Sequence, residues 1–205
     1  MTQSVELRRD AARNRDRIIA AAVEVFSEEG TDAGVERIAS RAGVGVGTLY
    51  RRFPTKEALI RSLVKDMMSE VVDAAATARD VPAGRGLEEF TRTVAQGLAA
   101  HRGLLNRLWK REQAESGQVA DLRRHVDRLI RDARAAGAIR PEVKREDVNT
   151  LLWSLHGVID NAGPDALARC LRLVDVFWAG LRPPPGSRSD RTSTVRPDRP
   201  DQPNL

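Results

Sequence analysis

The 205 residues contain one cysteine, Cys170, so no internal disulfide staples the fold. A chain this poor in cysteine suits a reducing compartment. Aromatic residues make up only 4%, and strands draw on aromatic and β-branched side chains, so a sheet-based fold is disfavoured. No segment alternates apolar and polar residues at a period of two, and no internal repeat is visible. No apolar run approaches the ~20 residues of a membrane span. The arginine-rich N-terminus lacks the apolar stretch and cleavage site of a secretory signal. These absences predict a soluble cytoplasmic protein without a membrane partner. His101, His125 and His156 are too far apart for metal-ligand spacing such as H-x-x-x-H. There is no G-x-S-x-G and no phosphate-binding loop, and Gly43-Val-Gly-Val-Gly47 follows a helix rather than a strand. No metal, no cofactor and no catalytic residue is expected.

What is present favours helices. Hydrophobic residues reach 41%, enough for a core, and charged residues 31%. Arginine, alanine and leucine dominate, all good helix formers. The net charge is +5, and residues 1–60 hold ten Lys/Arg against nine Asp/Glu. A sequence-independent polyanion binder is usually more lopsided, so any role with nucleic acid rests on where the charges sit. Arg8, Arg9, Arg13, Arg15 and Arg17 crowd the first segment, and Arg41, Arg51, Arg52 and Lys56 surround residues 46–53.

The stretch from Val35 to Lys56 carries the most information. Val35, Ile38, Ala39 and Ala42 recur at three- and four-residue steps and share one helix face. Gly43 follows where that helix must stop, and a residue without a Cβ takes φ > 0 there at little cost. Leu49 and Phe53 form the inner stripe of a second helix that Pro54 ends. Thr48, Tyr50, Arg51 and Arg52 are left to face outward. Two helices around such a turn are a helix-turn-helix, whose second helix enters the DNA major groove. Thr55 is a good N-cap for the next helix, whereas Gly34 or Ala33 gives the helix at Val35 no side-chain cap.

This segment resembles the N-terminal signature of the tetracycline-repressor-type (TetR/AcrR) regulators. The resemblance is carried by Ile38-Ala39, Ala42-Gly43-Val44, Gly47-Thr48-Leu49-Tyr50, Phe53 and Lys56-Glu57-Ala58-Leu59, with the helix from Ile18 to Gly30 before them. It covers residues 14 to 60. It implies an all-α fold in which a three-helix, helix-turn-helix DNA-binding domain is joined by a helix to a C-terminal helical bundle for regulation and dimerisation. The expected division is a flexible basic arm at 1–13, the DNA-binding domain at 14–60, a ligand-binding and dimerisation domain at 61–181 and a disordered tail at 182–205. Asp80 to Gly86 is the sharpest Pro/Gly break. Further helices are expected over 87–100, 102–114, 117–136, 145–161 and 164–181.

Val46, Gly47, Thr48, Tyr50, Arg51, Arg52 and Lys56 are the candidate DNA contacts. Val46, Gly47 and Thr48 open the recognition helix, the part that usually reaches base edges. Arg51 or Arg52 to guanine is the stronger route to sequence reading. The alternative for both is an ordinary solvated charge. In the family, residues matching Tyr50 and Lys56 grip the phosphate backbone. Leu151, Leu152, Leu155, Val158 and Ile159 form one later apolar stripe, and Leu167, Leu171, Val174 and Trp178 another. Either they pack inside the monomer or they build a four-helix homodimer interface suited to a palindromic operator. The resemblance also implies a small-molecule effector pocket. Phe90, Val94, Leu98, Leu105, Trp109, Leu129, Trp153 and His156 are its candidate lining, and a mostly apolar or aromatic effector would suit them. The leading reading is a dimeric repressor released from double-stranded DNA by that effector. The alternatives are a DNA-binding regulator without a small-molecule effector, acting as an activator or under a protein partner, and a small helical enzyme.

Overall fold

The helices follow from periodic apolar residues set among good helix formers. The computed structural model of the protein describes residues 2–82, 84–105 and 117–184, with side chains from Ala12 onward. Among these residues every regular element is helical. The first, α1, runs from Thr2 to Glu29. Residues 2–13, expected as a loose arm, are its first turns. The correction has a local cause: the run Val5-Glu-Leu-Arg-Arg-Asp-Ala-Ala-Arg13 contains no glycine or proline and is mostly strong helix formers. Further along, Ile18, Ala22 and Phe26 are completely buried on one line.

Next come α2 (Val35–Ala42), α3 (Val46–Arg52) and α4 (Lys56–Thr77). The Thr55 hydroxyl caps α4 by accepting from the Ala58 N–H at 3.0 Å. No side chain caps α2 at Gly34. Leu59, Leu63, Val64 and Met67 bury the inner face of α4. Its end passes through a 3₁₀ turn at Ala78–Asp80. Within the Asp80–Gly86 break the Arg85 N–H donates to the Pro82 carbonyl at 3.3 Å.

Helix α5 spans Gly86–Ala100 and leads into a 3₁₀ turn at Arg102–Leu104. The rest of the helix expected over 102–114 lies outside the described residues. Helices α6 (Gly117–Ala135), α7 (Arg145–Ala162) and α8 (Ala166–Leu181) follow, close to the expected bounds. The Asp147 carboxylate accepts from the Lys144 N–H at 2.7 Å and closes the start of α7.

Helix α1 packs on α2, α4 on α6, and α5 on both α7 and α8. Leu87, Phe90, Leu155, Val174 and Trp178 fill the centre of the second half. Arg92 bridges Glu88 at 3.1 Å and Asp175 at 2.6 Å, tying α5 to α8. Arg182 reaches back to Glu88 at 3.3 Å, and its backbone N–H donates to the Trp178 carbonyl. The residue expected to open a disordered tail is therefore docked, while 185–205 lie outside the described residues. The Cys170 thiol is buried beside the Leu155 carbonyl, and that burial pushes its pKa up.

Thr91 is a completely buried polar side chain. Its hydroxyl donates to the Glu88 carbonyl and accepts from the Trp178 indole N–H, both at 2.8 Å. Thr91→Val keeps the volume but leaves the indole N–H unsatisfied, which costs about 1–3 kcal/mol. Urea unfolding of the variant is expected to show that loss as a lower midpoint at unchanged slope.

Candidate functional site

A seven-residue helix has no stability of its own, so α3 is held by what it buries. Leu49 is completely buried and Phe53 nearly so, within the apolar core, and α3 packs on α2. The turn before α3 has the expected geometry. Gly43 sits at φ 62°, ψ 40°, and its N–H donates to the carbonyls of Ala39 and Ser40. Val44 donates to Ala39 at 3.0 Å and half-buries its side chain. A Cβ on Gly43 would lie 2.6 Å from the Arg17 guanidinium, which donates to the Gly43 carbonyl at 2.9 Å. The backbone angle is what requires glycine here; the exposed Arg17 side chain can swing aside from a Cβ, at the cost of its bond to the Gly43 carbonyl.

The arginines of this half divide into two groups. Arg15 donates to Asp66 at 3.0 Å and to Ser62 at 3.3 Å, joining α1 to α4. Arg37 pairs with Glu29. Arg41, counted from sequence among the charges around the recognition helix, spans Glu24 and Glu28, each at 2.9 Å. It fastens α2 to α1. Its hydrogen bond, then its charge, hold the Glu28 carboxyl below the usual carboxylate range, with Arg37 and Arg102 adding to the effect. The second group faces away. Tyr50 is 42% exposed, and Arg51 and Arg52 are exposed beside it. Lys56 is half-buried on the first turn of α4, where backbone N–H groups lack intrahelical acceptors. Among the described residues, these four side chains make no hydrogen bond or ion pair. Thr48 and Val46 are half-exposed and Gly47 exposed at the start of α3. Sequence alone did not separate Arg41 from Arg51, because the carboxylates that engage Arg41 lie on α1.

A cavity of about 370 Å³ opens between α4 and α5. Met67, Val71, Ala74, Val94 and Leu98 give it apolar walls; Glu70, Gln96 and His101 bring polar groups. The His101 Nδ1 donates to the Gly97 carbonyl at 2.9 Å, which leaves Nε2 for another partner. Of the pocket residues expected from sequence, Val94 and Leu98 line this cavity. Phe90, Leu105 and Leu129 are solid core. Trp153 is 67% exposed on α7, and His156 lies 3.5 Å from Asp160 on the same helix. Trp109 lies outside the described residues. Helical spacing finds the buried face of a helix but does not tell packed core from void. The small residues Ala74, Gly97 and Ala100 were the available signal, since they leave room where α4 and α5 cross.

The stripes expected at a dimer interface are also redistributed. Leu151, Leu152, Leu155, Ile159, Val174 and Trp178 are buried within the chain. Val158 and Leu171 are half-buried, and Leu167 is 43% exposed. The large apolar side chains left outside on α7 and α8 are Trp153, Leu167 and Val176, with Leu173 and Phe177 partly covered beside them.

Residues 18–63 match the family model described as bacterial regulatory proteins, tetR family. Residues 82–183 match the C-terminal domain of SbtR-like transcriptional regulators. A TetR transcriptional regulator from Streptomyces coelicolor is 36% identical and superposes with a TM-score of 0.60, over 82% of this chain and 98% of that one. A TetR regulatory protein from Mycobacterium vanbaalenii is 35% identical at a TM-score of 0.65, over 86% of this chain and 99% of that one. An HTH-type transcriptional regulator of Staphylococcus aureus is 46% identical over 54 residues, which is 26% of this chain. The chain spans 29% of the length of the staphylococcal relatives it matches.

The Arg41 clamp has a testable pH signature. A carboxyl whose folded pKa is depressed contributes stability above its ordinary range and loses it as pH falls through the folded value. Arg41→Ala is therefore expected to lower Tm at neutral pH, with the gap to wild type closing on acidification. A gap independent of pH would detach Arg41 from Glu28.

Proposed function

This chain belongs to the tetR family of bacterial regulatory proteins, and from that footing we propose that it is a cytoplasmic dimeric repressor, released from operator DNA by a small apolar effector. The observation that carries the reading is the division of the arginines. Those that hold the head together are paired inward. The surface running from α3 to the start of α4 keeps Tyr50, Arg51, Arg52 and Lys56 unpaired among the described residues. Leaving three cations and a phenol unpaired on one face fits an anionic partner. Lys56 meets a phosphate oxygen at the N-terminus of α4, where the helix dipole adds to its charge. Tyr50 gives its hydroxyl to a neighbouring phosphate. Arg51 and Arg52 reach guanine edges, and Val46, Gly47 and Thr48 bring the α3 backbone close to the groove.

A single head reads few base pairs, so a second copy supplies specificity on a two-fold site. The docking face is the outer side of α7 and α8, where Trp153, Val176 and Phe177 stand with the bare backbone of Gly157 and Gly180 between the exposed side chains. The cavity between α4 and α5 is the effector site. Its volume falls in the range of small-molecule pockets, and its walls suit an apolar guest carrying a hydrogen-bond donor for His101 Nε2.

Footprinting on the DNA upstream of the protein's own gene checks the DNA contacts. Lys56→Ala is expected to weaken all sites evenly and to shallow the salt dependence by about one phosphate, ~0.9 in log–log slope. Arg51→Ala is expected to relax base preference by about 1–3 kcal/mol at one position per half-site. Unchanged footprints in both variants would remove the assignment. Sedimentation checks the dimer face. Trp153→Glu with Val176→Glu is expected to give folded monomers, whereas Leu155→Ala, in the core, lowers stability by about 2–5 kcal/mol and leaves assembly intact.

A further inference from the structure

The cavity between α4 and α5 is lopsided in charge. No Lys or Arg is among the described residues that line it, and Glu70 is its one carboxylate. Glu70 is exposed and makes no hydrogen bond or ion pair among the described residues. Its neighbours on α4 sharpen the contrast. Asp66, one turn earlier, is taken by Arg15 at 3.0 Å. Asp73, three residues on, shares the Glu70 side of the helix and is likewise exposed and unpaired among the described residues. From Asp66 to Thr77, α4 carries no Lys or Arg.

The α5 wall does not balance these acids. From Thr93 to Ala100 it has no charged residue. The arginines on either side are engaged elsewhere. Arg92 donates to Glu88 and to Asp175 of α8, and the Arg102 Nε–H donates to the Ser27 carbonyl of α1 at 2.8 Å. What this wall offers is an acceptor. The His101 Nδ1 is committed as a donor to the Gly97 carbonyl, so in the neutral ring Nε2 holds a lone pair and no proton. The rest of the surface, from Met67, Val71, Ala74, Val94 and Leu98, is apolar. An anionic guest would meet like charge at Glu70. A neutral one would strip water from the carboxylate and leave it unpaired. An ammonium group brings N–H donors, and its bond to a carboxylate is of the stronger, charge-assisted kind.

We propose that this cavity takes a lipophilic amine, its ammonium group against the Glu70 carboxylate and its apolar body among Met67, Val71, Ala74, Val94 and Leu98. The proposal rests on the reading of the cavity as an effector site, and the test keeps the two apart. The probes share one octyl chain and differ only at the head: octylammonium, octanol and octanoate. Each is titrated into the full chain by calorimetry, and Nile red fluorescence reports the apolar walls separately. Glu70→Gln removes the charge and keeps the shape. The side chain is exposed and unpaired among the described residues, so this variant is expected to melt as wild type does. Glu70→Lys inverts the charge. Gly97→Trp fills the cavity, because a Cβ at Gly97 meets open space; Ala74→Phe replaces it if the melt shows Gly97→Trp to be unfolded.

Octylammonium is expected to bind wild type about fivefold tighter than octanol and about tenfold or more tighter than octanoate, the scale of one charge-assisted bond in a site open to solvent. In Glu70→Gln it is expected to fall within about twofold of octanol, and in Glu70→Lys octanoate is expected to overtake it. The filled cavity is expected to lose all three together with the dye. Octanol or octanoate binding wild type as tightly as octylammonium, or an ammonium preference that survives Glu70→Gln, overturns the amine. Where Nile red and octanol still bind in those cases, the cavity stands as an apolar effector site. Wild type that binds neither dye nor any probe loses the effector cavity and the amine together. Octylammonium binding that survives the filled cavity lies elsewhere on the molecule and overturns the assignment to Glu70.

Discussion

A recognition helix of seven residues is too short to fold alone, and everything the head presents outward depends on the few side chains that pin it down. Leu49 and Phe53 do this by burying themselves in the apolar core beside α2. Helix α1 is the common backing. It supplies Ile18, Ala22 and Phe26 to the small core, the carboxylates that anchor α2 through Arg41, and Arg17 to the turn at Gly43. With so little buried area, the left-handed backbone at Gly43 and the ion pairs between α1 and α2 fix the direction in which α3 points.

The distribution of charge gives the head its polarity of use. A nearly balanced count of acids and bases hides a spatial separation. Acidic residues on α1 and α4 engage Arg15, Arg37 and Arg41 on the inner and lateral faces. Helix α3 carries no acidic residue, so Arg51 and Arg52 have no neighbour on their own helix to neutralise them. A modest net charge is therefore compatible with a locally cationic surface.

Much of the fold was legible in the sequence because the signals were local. Gly43, Pro54 and Thr55 mark boundaries through backbone chemistry, and the three- and four-residue spacing of Ile38, Ala42, Leu59 and Leu63 identifies buried faces. What stayed hidden depends on partners far along the chain. The apolar stripes of α7 and α8 read equally well as core or interface, and only packing against α5 assigns Leu155, Val174 and Trp178 to the interior. The cavity eluded the spacing argument because a void is defined by what small residues such as Ala74 and Gly97 fail to fill. Helix α1 began earlier than expected because a polar surface pattern resembles a disordered arm when propensity is given too little weight.

Helix α4 runs unbroken from Lys56 to Thr77, with Lys56 at one end and Met67, Glu70, Val71 and Ala74 along the cavity. At 1.5 Å per residue its 22 residues make a rod about 33 Å long. Pivoting such a rod near its far end by about 5° carries Lys56 through roughly 3 Å. That arc is close to the rise of one base pair. The length of the rod thus sets how far a small rotation at its cavity end carries the Lys56 ammonium.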